Sequence, residues 1–213
     1  MMGREVIAEK GVWTAKKRYM LSVWDSEGVR YKEPKIKIMG VETSRSSTPA
    51  FVRKELKKAV NMILTQDETT LQTFVKDIEK EFYKLPVESI AFPRSVSRLS
   101  EYADSKIGYK KGTPIAVKAA LLYNNKLKAL KLQKKYRTIG EGEKMKFLHL
   151  KTPNPIGDAV IGFTTTLPLE FECHKYVNFK DQFEKSFLHP LETITNAIGW
   201  NIVEKGSLDS LFC

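Results

Sequence analysis

Lys35-Ile36-Lys37-Ile38-Met39 alternates strictly between charged and apolar residues, and at Ser46-Ser47-Thr48-Pro49 that period ends. Alternation predicts an extended strand. Hydroxyl residues followed by Pro predict a helix start, with Pro in the first turn. Working backwards, Asp25-Ser26-Glu27-Gly28 reads as a turn with Gly last, and Val29 to Lys32 as its outgoing strand. Lys16 to Trp24 reads as the incoming strand, because Tyr19, Leu21 and Val23 alternate with polar or smaller neighbours. The front of the chain is therefore expected to be an antiparallel hairpin or small meander.

Forwards, Phe51, Val52, Leu56, Val60 and Ile63/Leu64 recur at helical spacing, with Lys54, Lys57 and Lys58 on the other side. A second helix is expected from Glu68 to Leu85 on the stripe Leu71, Phe74, Val75, Ile78 and Phe82. A shorter one is expected over Val96 to Tyr102, and another opens at Pro114. Leu127 to Arg137 reads as a helix end or a basic loop. Lys144 to Lys151 and Val160 to Phe163 read as strands separated by a rigid Pro153–Gly157 turn. A last helix is expected from Phe179 to Ile198, stopped by Gly199. The expected fold is α+β: a small meander followed by a mainly helical body with a small β insertion.

The 213 residues carry 36 Lys and Arg against 25 Asp and Glu, a formal charge of +11. Such an excess attracts polyanions, nucleic acid first among them, although a plain basic protein would show it too. Hydrophobic residues make up 42%, enough for a core. Cys173 and Cys213 form no disulfide framework and no metal spacing. No leader segment or membrane-length apolar run is visible, so an intracellular soluble protein is expected.

Three constellations stand out. On a strand, Lys17 and Tyr19 would share one face and Lys16 and Arg18 the other, so one face could meet a phosphate backbone. The alternative is an edge strand guarded by lysines. Arg45-Ser46-Ser47-Thr48 at a helix start could hold an anion or simply cap the helix. Ser207 to Phe212 could be a frayed end or an apolar plug for a partner's pocket. Catalysis finds no home. The close acidic pairs are Asp25/Glu27 in a turn and Glu141/Glu143 in a Gly-rich loop, and there is no phosphate-binding loop or nucleophile elbow.

Ala15-Lys16-Lys17-Arg18-Tyr19, Trp24-Asp25-Ser26-Glu27-Gly28, Lys37 to Thr43 and Ser46-Ser47-Thr48-Pro49 stand in one order and spacing. With Asn154-Pro155-Ile156-Gly157-Asp158, Phe183 to Leu191 and the closing Ser-Leu-x-x-Leu-Phe, the chain resembles the C-terminal part of a family-B DNA polymerase of the T-even phage type. The resemblance implies palm-edge strands over 1–44, a thumb over 45–205 and a clamp-binding tail over 206–213. It implies DNA contacts from Lys16, Lys17, Arg18, Tyr19, Arg45, Ser46, Ser47, Thr48, Lys118, Tyr123 and Lys151. It also implies a sliding-clamp contact through Leu208, Leu211 and Phe212. At Lys118-Ala119 the chain departs from an Arg-Gly pattern, keeping the charge but losing the guanidinium fork.

The resemblance further implies that the catalytic aspartates, fingers and exonuclease lie in sequence this chain does not contain. No catalytic or metal-binding residue is expected here. An N-terminal polymerase chain would supply the active site with its Mg2+, and this chain would grip primer–template duplex as part of a nucleotidyltransferase. The alternative is a free-standing, clamp-tethered duplex-binding accessory, or a truncated inactive fragment. The setting expected is the cytoplasm of an infected bacterial cell, with no membrane partner.

Overall fold

The structure, a computed structural model, describes residues 5–41, 43, 45–104 and 108–202. The chain forms two compact units. One gathers the described residues of 1–45, 52–81 and 185–213, and the other residues 46–51 and 82–184.

The first unit opens with three antiparallel strands in the order β1-β2-β3: β1 (Val6–Ala15), β2 (Arg18–Ser26) and β3 (Val29–Met39). The expected meander is present and has one strand more than the sequence pattern indicated. β1 escaped notice because only Val12 in it is buried, so its sequence lacks an apolar period. Glu27 and Gly28 both take positive φ, as a two-residue hairpin turn between right-twisted strands requires. The Asp25 carboxylate accepts a hydrogen bond from the Gly28 N–H at 2.9 Å and holds that turn. Val12, Met20 and Ile38 lie in one cross-strand row, and Met20 is wholly buried.

α1 (Ala50–Thr65) and α2 (Glu68–Phe82) follow where the period changes. Val52, Leu56, Val60 and Ile63 are buried on α1, and Leu71, Val75 and Ile78 on α2, as their spacing requires. Asp67 caps α2 through the Thr70 N–H at 2.8 Å, and that bond holds the Asp67 carboxyl below its ordinary pKa. The Gln72 side chain donates to the Asn201 carbonyl at 2.7 Å and fastens the end of the described chain to α2.

The second unit is built on the antiparallel sheet β4-β7-β8. A short helix α3 (Val87–Ile90) precedes β4 (Phe92–Ser95); then come α4 (Leu99–Tyr102), a small hairpin of β5 (Ala103–Asp104) and β6 (Gly108–Tyr109), and α5 (Ile115–Ala129). β7 (Lys144–His149) and β8 (Val160–Phe163) complete the sheet. α5 lies against β8 so closely that a Cβ on Gly162 would stand 2.9 Å from the Ala119 carbonyl oxygen. The small pair Ala119 and Gly162 sets this approach. Tyr123, Leu127, Leu148, Phe163 and Phe171 fill the core. Buried Gln182 is satisfied twice: it donates to the Ile90 carbonyl at 2.8 Å and accepts from the His149 N–H at 3.2 Å.

The last helical segment differs from a continuous helix over 179–198. It runs as α6 (Phe179–Phe183), a π turn over Glu184–Leu188, and α7 (His189–Thr195). Pro190 explains the break: it has no N–H to give the Ser186 carbonyl, and its ring crowds that oxygen. Gly199 ends the segment at φ 75°, as expected.

The fold is α+β. The compact units do not follow a division at 44/45, because residues 52–81 and 185–202 group with the meander. A change of period marks a change of secondary structure, and packing then joined elements from both sides of it. Among the described residues no helix is long and apolar enough to cross a membrane.

Candidate nucleic-acid interface

In the first unit, Ala15 pairs with Arg18, so Lys16 and Lys17 are the two-residue connection between β1 and β2. This corrects the expected strand over Lys16–Trp24. With β1 present as a partner the chain must reverse at 16–17, and the alternating-face argument does not reach these two lysines. Both are exposed at the hairpin tip, while Arg18 and Tyr19 are half-buried behind them. Gly40 pins the tip: it sits at φ 69°, and a Cβ there would lie 2.2 Å from the Lys17 carbonyl oxygen. Beside the turn, Trp13, Tyr19 and Met39 occupy one cross-strand row, with the Trp13 and Tyr19 rings 6.5 Å apart. Trp13 is 60% exposed, so an aromatic surface flanks the two lysines. Arg45, also in this unit, is exposed.

In the second unit, Ser46 is exposed and Ser47 half-buried, but Thr48 is buried. Thr48, 6% exposed, offers little surface for the DNA contact expected of it. The Arg94 guanidinium donates through Nη1 to the Ser47 carbonyl at 2.6 Å and the Pro93 carbonyl at 2.9 Å. It thereby joins the segment before α1 to β4.

Lys118 is largely committed within the protein. Its ammonium stands 2.7 Å from the Asp158 carboxylate and over the Tyr109 ring at 4.6 Å, and the Tyr109 hydroxyl donates to the same carboxylate at 2.6 Å. Burial opposes both charges, yet the Lys118 bond and then the Tyr109 bond outweigh it and leave Asp158 below its ordinary pKa. For Lys118, burial likewise opposes the charge, and the bonds to Asp158 and Tyr109 leave it above its ordinary value. This clip therefore stabilises the fold between the two titrations. Its contribution is lost as pH falls through the depressed Asp158 value and as pH rises through the elevated Lys118 value. Asp158→Asn is expected to lower stability by about 1–3 kcal/mol at neutral pH, since it strands a half-buried cation. Thermal melts should show that deficit shrinking as pH falls through the depressed Asp158 value, where wild-type Asp158 is itself protonated. A deficit independent of pH would contradict the ionic reading.

Tyr123 is the other correction. It is 0% exposed, its ring centroid is 5.7 Å from that of Phe171 at a tilt of 58°, and its hydroxyl donates to the Arg137 carbonyl at 3.1 Å. Burial holds its phenol above the ordinary pKa. A ring enclosed this way cannot touch DNA. Lys151 is exposed at the start of the loop that ends at Asp158, where the Asn154 side chain donates to the Lys151 carbonyl at 2.8 Å. Leu208, Leu211 and Phe212 lie outside the described residues.

The acidic pairs are engaged in the fold. Asp25 holds its turn, Glu141 accepts from the backbone N–H groups of Arg98 and Leu99, and Glu143 accepts from the Gly140 N–H and pairs with Arg137. Cys173 is buried, and desolvation pushes its thiol up to about 11. Sequence reasoning left Trp13, Arg94 and Lys144 out of the candidate set. Trp13 sits on a strand without an apolar period, and Arg94 and Lys144 belong to neighbouring strands whose pairing no local pattern reveals.

No family model matches the chain. Over 207 residues it is 35% identical to the DNA-directed DNA polymerase of Enterobacteria phage T4, a match covering 95% of this chain and 22% of that protein. It is 38% identical over 225 residues to the DNA-directed DNA polymerase of Escherichia phage RB69, covering 99% of this chain and 24% of that protein. The chain thus spans less than a quarter of the length of these relatives. The resemblance to the C-terminal part of a T-even-type phage DNA polymerase holds across nearly all of it.

Proposed function

We propose, from the homology to part of two phage DNA polymerases, that this chain grips primer–template duplex and completes a polymerase whose remaining parts belong to a second polypeptide. The observation that supports the duplex-gripping part of this reading is the 35–38% identity to phage DNA polymerases over 95–99% of the chain. The charge of +11 and the exposed Lys16-Lys17 tip support it. Two ammonium groups on a turn held by Gly40 can reach a phosphate backbone without reading bases, which suits a protein that must slide along any sequence. On the second unit, Ser46 and the exposed Lys151 are further candidates for phosphate contact, and Arg45 is another on the first unit. In this role the chain contributes nothing covalent. It holds the duplex so that the primer end lies correctly for chemistry performed by carboxylates and Mg2+ in the second polypeptide, and positioning of this kind lowers a barrier by itself.

Reconstitution tests the proposal. The chain alone should extend no primer. Mixed with a polypeptide corresponding to the remaining three quarters of the relatives, it should raise extension over that polypeptide alone. Lys16→Ala with Lys17→Ala should weaken duplex binding equally across sequences and reduce the slope of log K against log salt by about 1.8 for two lost phosphate contacts. Nucleotide incorporation by the chain in isolation would overturn the reading, as would a loss confined to particular sequences. Strong duplex binding with no effect on the second polypeptide would instead favour a free-standing accessory.

A further inference from the structure

A second cationic feature lies at the edge of the β4-β7-β8 sheet, wholly within the second unit. Ser46, Ser47, Pro93, Arg94, Ser95 and Lys144 line an open cleft of about 240 Å³. Ser95 pairs directly with Lys144 and Arg94 with Met145, so one edge strand carries Arg94 and Ser95 to the rim while its neighbour brings Lys144. The seam between these strands joins residues far apart in sequence. Among the described residues, no acidic side chain lines the cleft. The nearby Glu143 is occupied by Arg137 and the Gly140 N–H. Lys144 is exposed and has no ion-pair partner among the described residues.

Arg94 is held rather than floating. Both of its hydrogen bonds leave from Nη1, to the carbonyls of Ser47 and Pro93. Its Nε and Nη2 N–H groups have no protein acceptor among the described residues. Half-burial holds this guanidinium below its ordinary pKa, so its charge lacks the solvation that an anion would restore. A fixed guanidinium with free donors, an exposed ammonium and the hydroxyls of Ser46 and Ser95 form a donor-rich surface. The matching ligand is an anion rich in acceptor oxygens that tolerates an open site.

We propose that the cleft lined by Arg94, Lys144, Ser46 and Ser95 seats a backbone phosphate of duplex DNA. The choice of duplex as the source of that phosphate rests on the proposed function. The seat deepens that reading by adding a contact on the sheet edge, separate from the lysine hairpin tip and independent of Lys118.

The test uses the full chain and duplex DNA of several sequences, titrated across salt. Lys144→Ala, an exposed change, should weaken binding about 3- to 10-fold near 0.1 M salt, equally for all sequences, and reduce the salt slope by about 0.9. Lys144→Arg should restore both. Arg94→Gln should produce a similar loss, and its melting temperature would show whether the tie to Ser47 has also failed. An unchanged affinity and slope in Lys144→Ala, with wild type binding normally, overturns the phosphate seat and leaves the proposed function standing. Failure of the wild-type chain to bind duplex under any salt condition overturns both. Inorganic phosphate supplies the last arm: amide shifts at Ser46 and Ser95 with phosphate but not with duplex would assign the cleft to a free anion and overturn the duplex seat.

Discussion

Tyr123→Ala is expected to destabilise the protein by about 3–5 kcal/mol, the usual cost of removing an aromatic ring from a packed core. The ring has no exposed surface and packs against Phe171. α5 and β8 approach too closely, at Ala119 and Gly162, to collapse into the space it leaves. Tyr123→Phe separates packing from polar chemistry. It keeps the ring and removes only the hydroxyl that donates to the Arg137 carbonyl, at a cost of about 1 kcal/mol. Denaturant melts check both values. Duplex binding by Tyr123→Phe should equal wild type wherever the protein is folded. A variant that kept its stability and lost DNA affinity would restore Tyr123 to the binding surface.

Loss of clamp-dependent processivity is the second large effect expected. Replacing Leu211 and Phe212 by Ala should leave short-primer extension by the reconstituted polymerase intact while long products in the presence of a sliding clamp disappear. Two large apolar anchors buried in a partner's pocket contribute about 1.5–3 kcal/mol each, so removing both should weaken the tether by about 10²–10⁴-fold. Because an interface tends to concentrate its energy in a few such residues, the remaining tail should not compensate. Equal processivity of the two forms would rule out the clamp role. Unlike the seat at Arg94 and Lys144, this expectation comes from the sequence resemblance alone.

The parts of the fold that were legible are those encoded over short distances. Helix stripes such as Val52, Leu56 and Val60, the Asp25–Gly28 turn and the Gly199 stop each arise from neighbours within a few residues, where periodicity and capping act. β1 was invisible because a sparsely buried strand at a sheet edge needs no apolar period. The π turn before Pro190 was missed because a stripe records which side is buried, and not whether each hydrogen bond closes on its fourth neighbour.

Charge, the buried stripes of α1 and α2, the second half of the meander and the kinship with a phage polymerase segment were all determined by the sequence alone. Tertiary structure decided that Lys16 and Lys17 are a hairpin tip, that Thr48 and Tyr123 are interior, that Lys118 is bound to Asp158, and that Arg94 and Lys144 share a cleft with Ser46. The reason is range. Spacing reports what a residue does to its own helix turn or strand, whereas exposure and pairing depend on which distant segment packs against it, and only the folded chain specifies that.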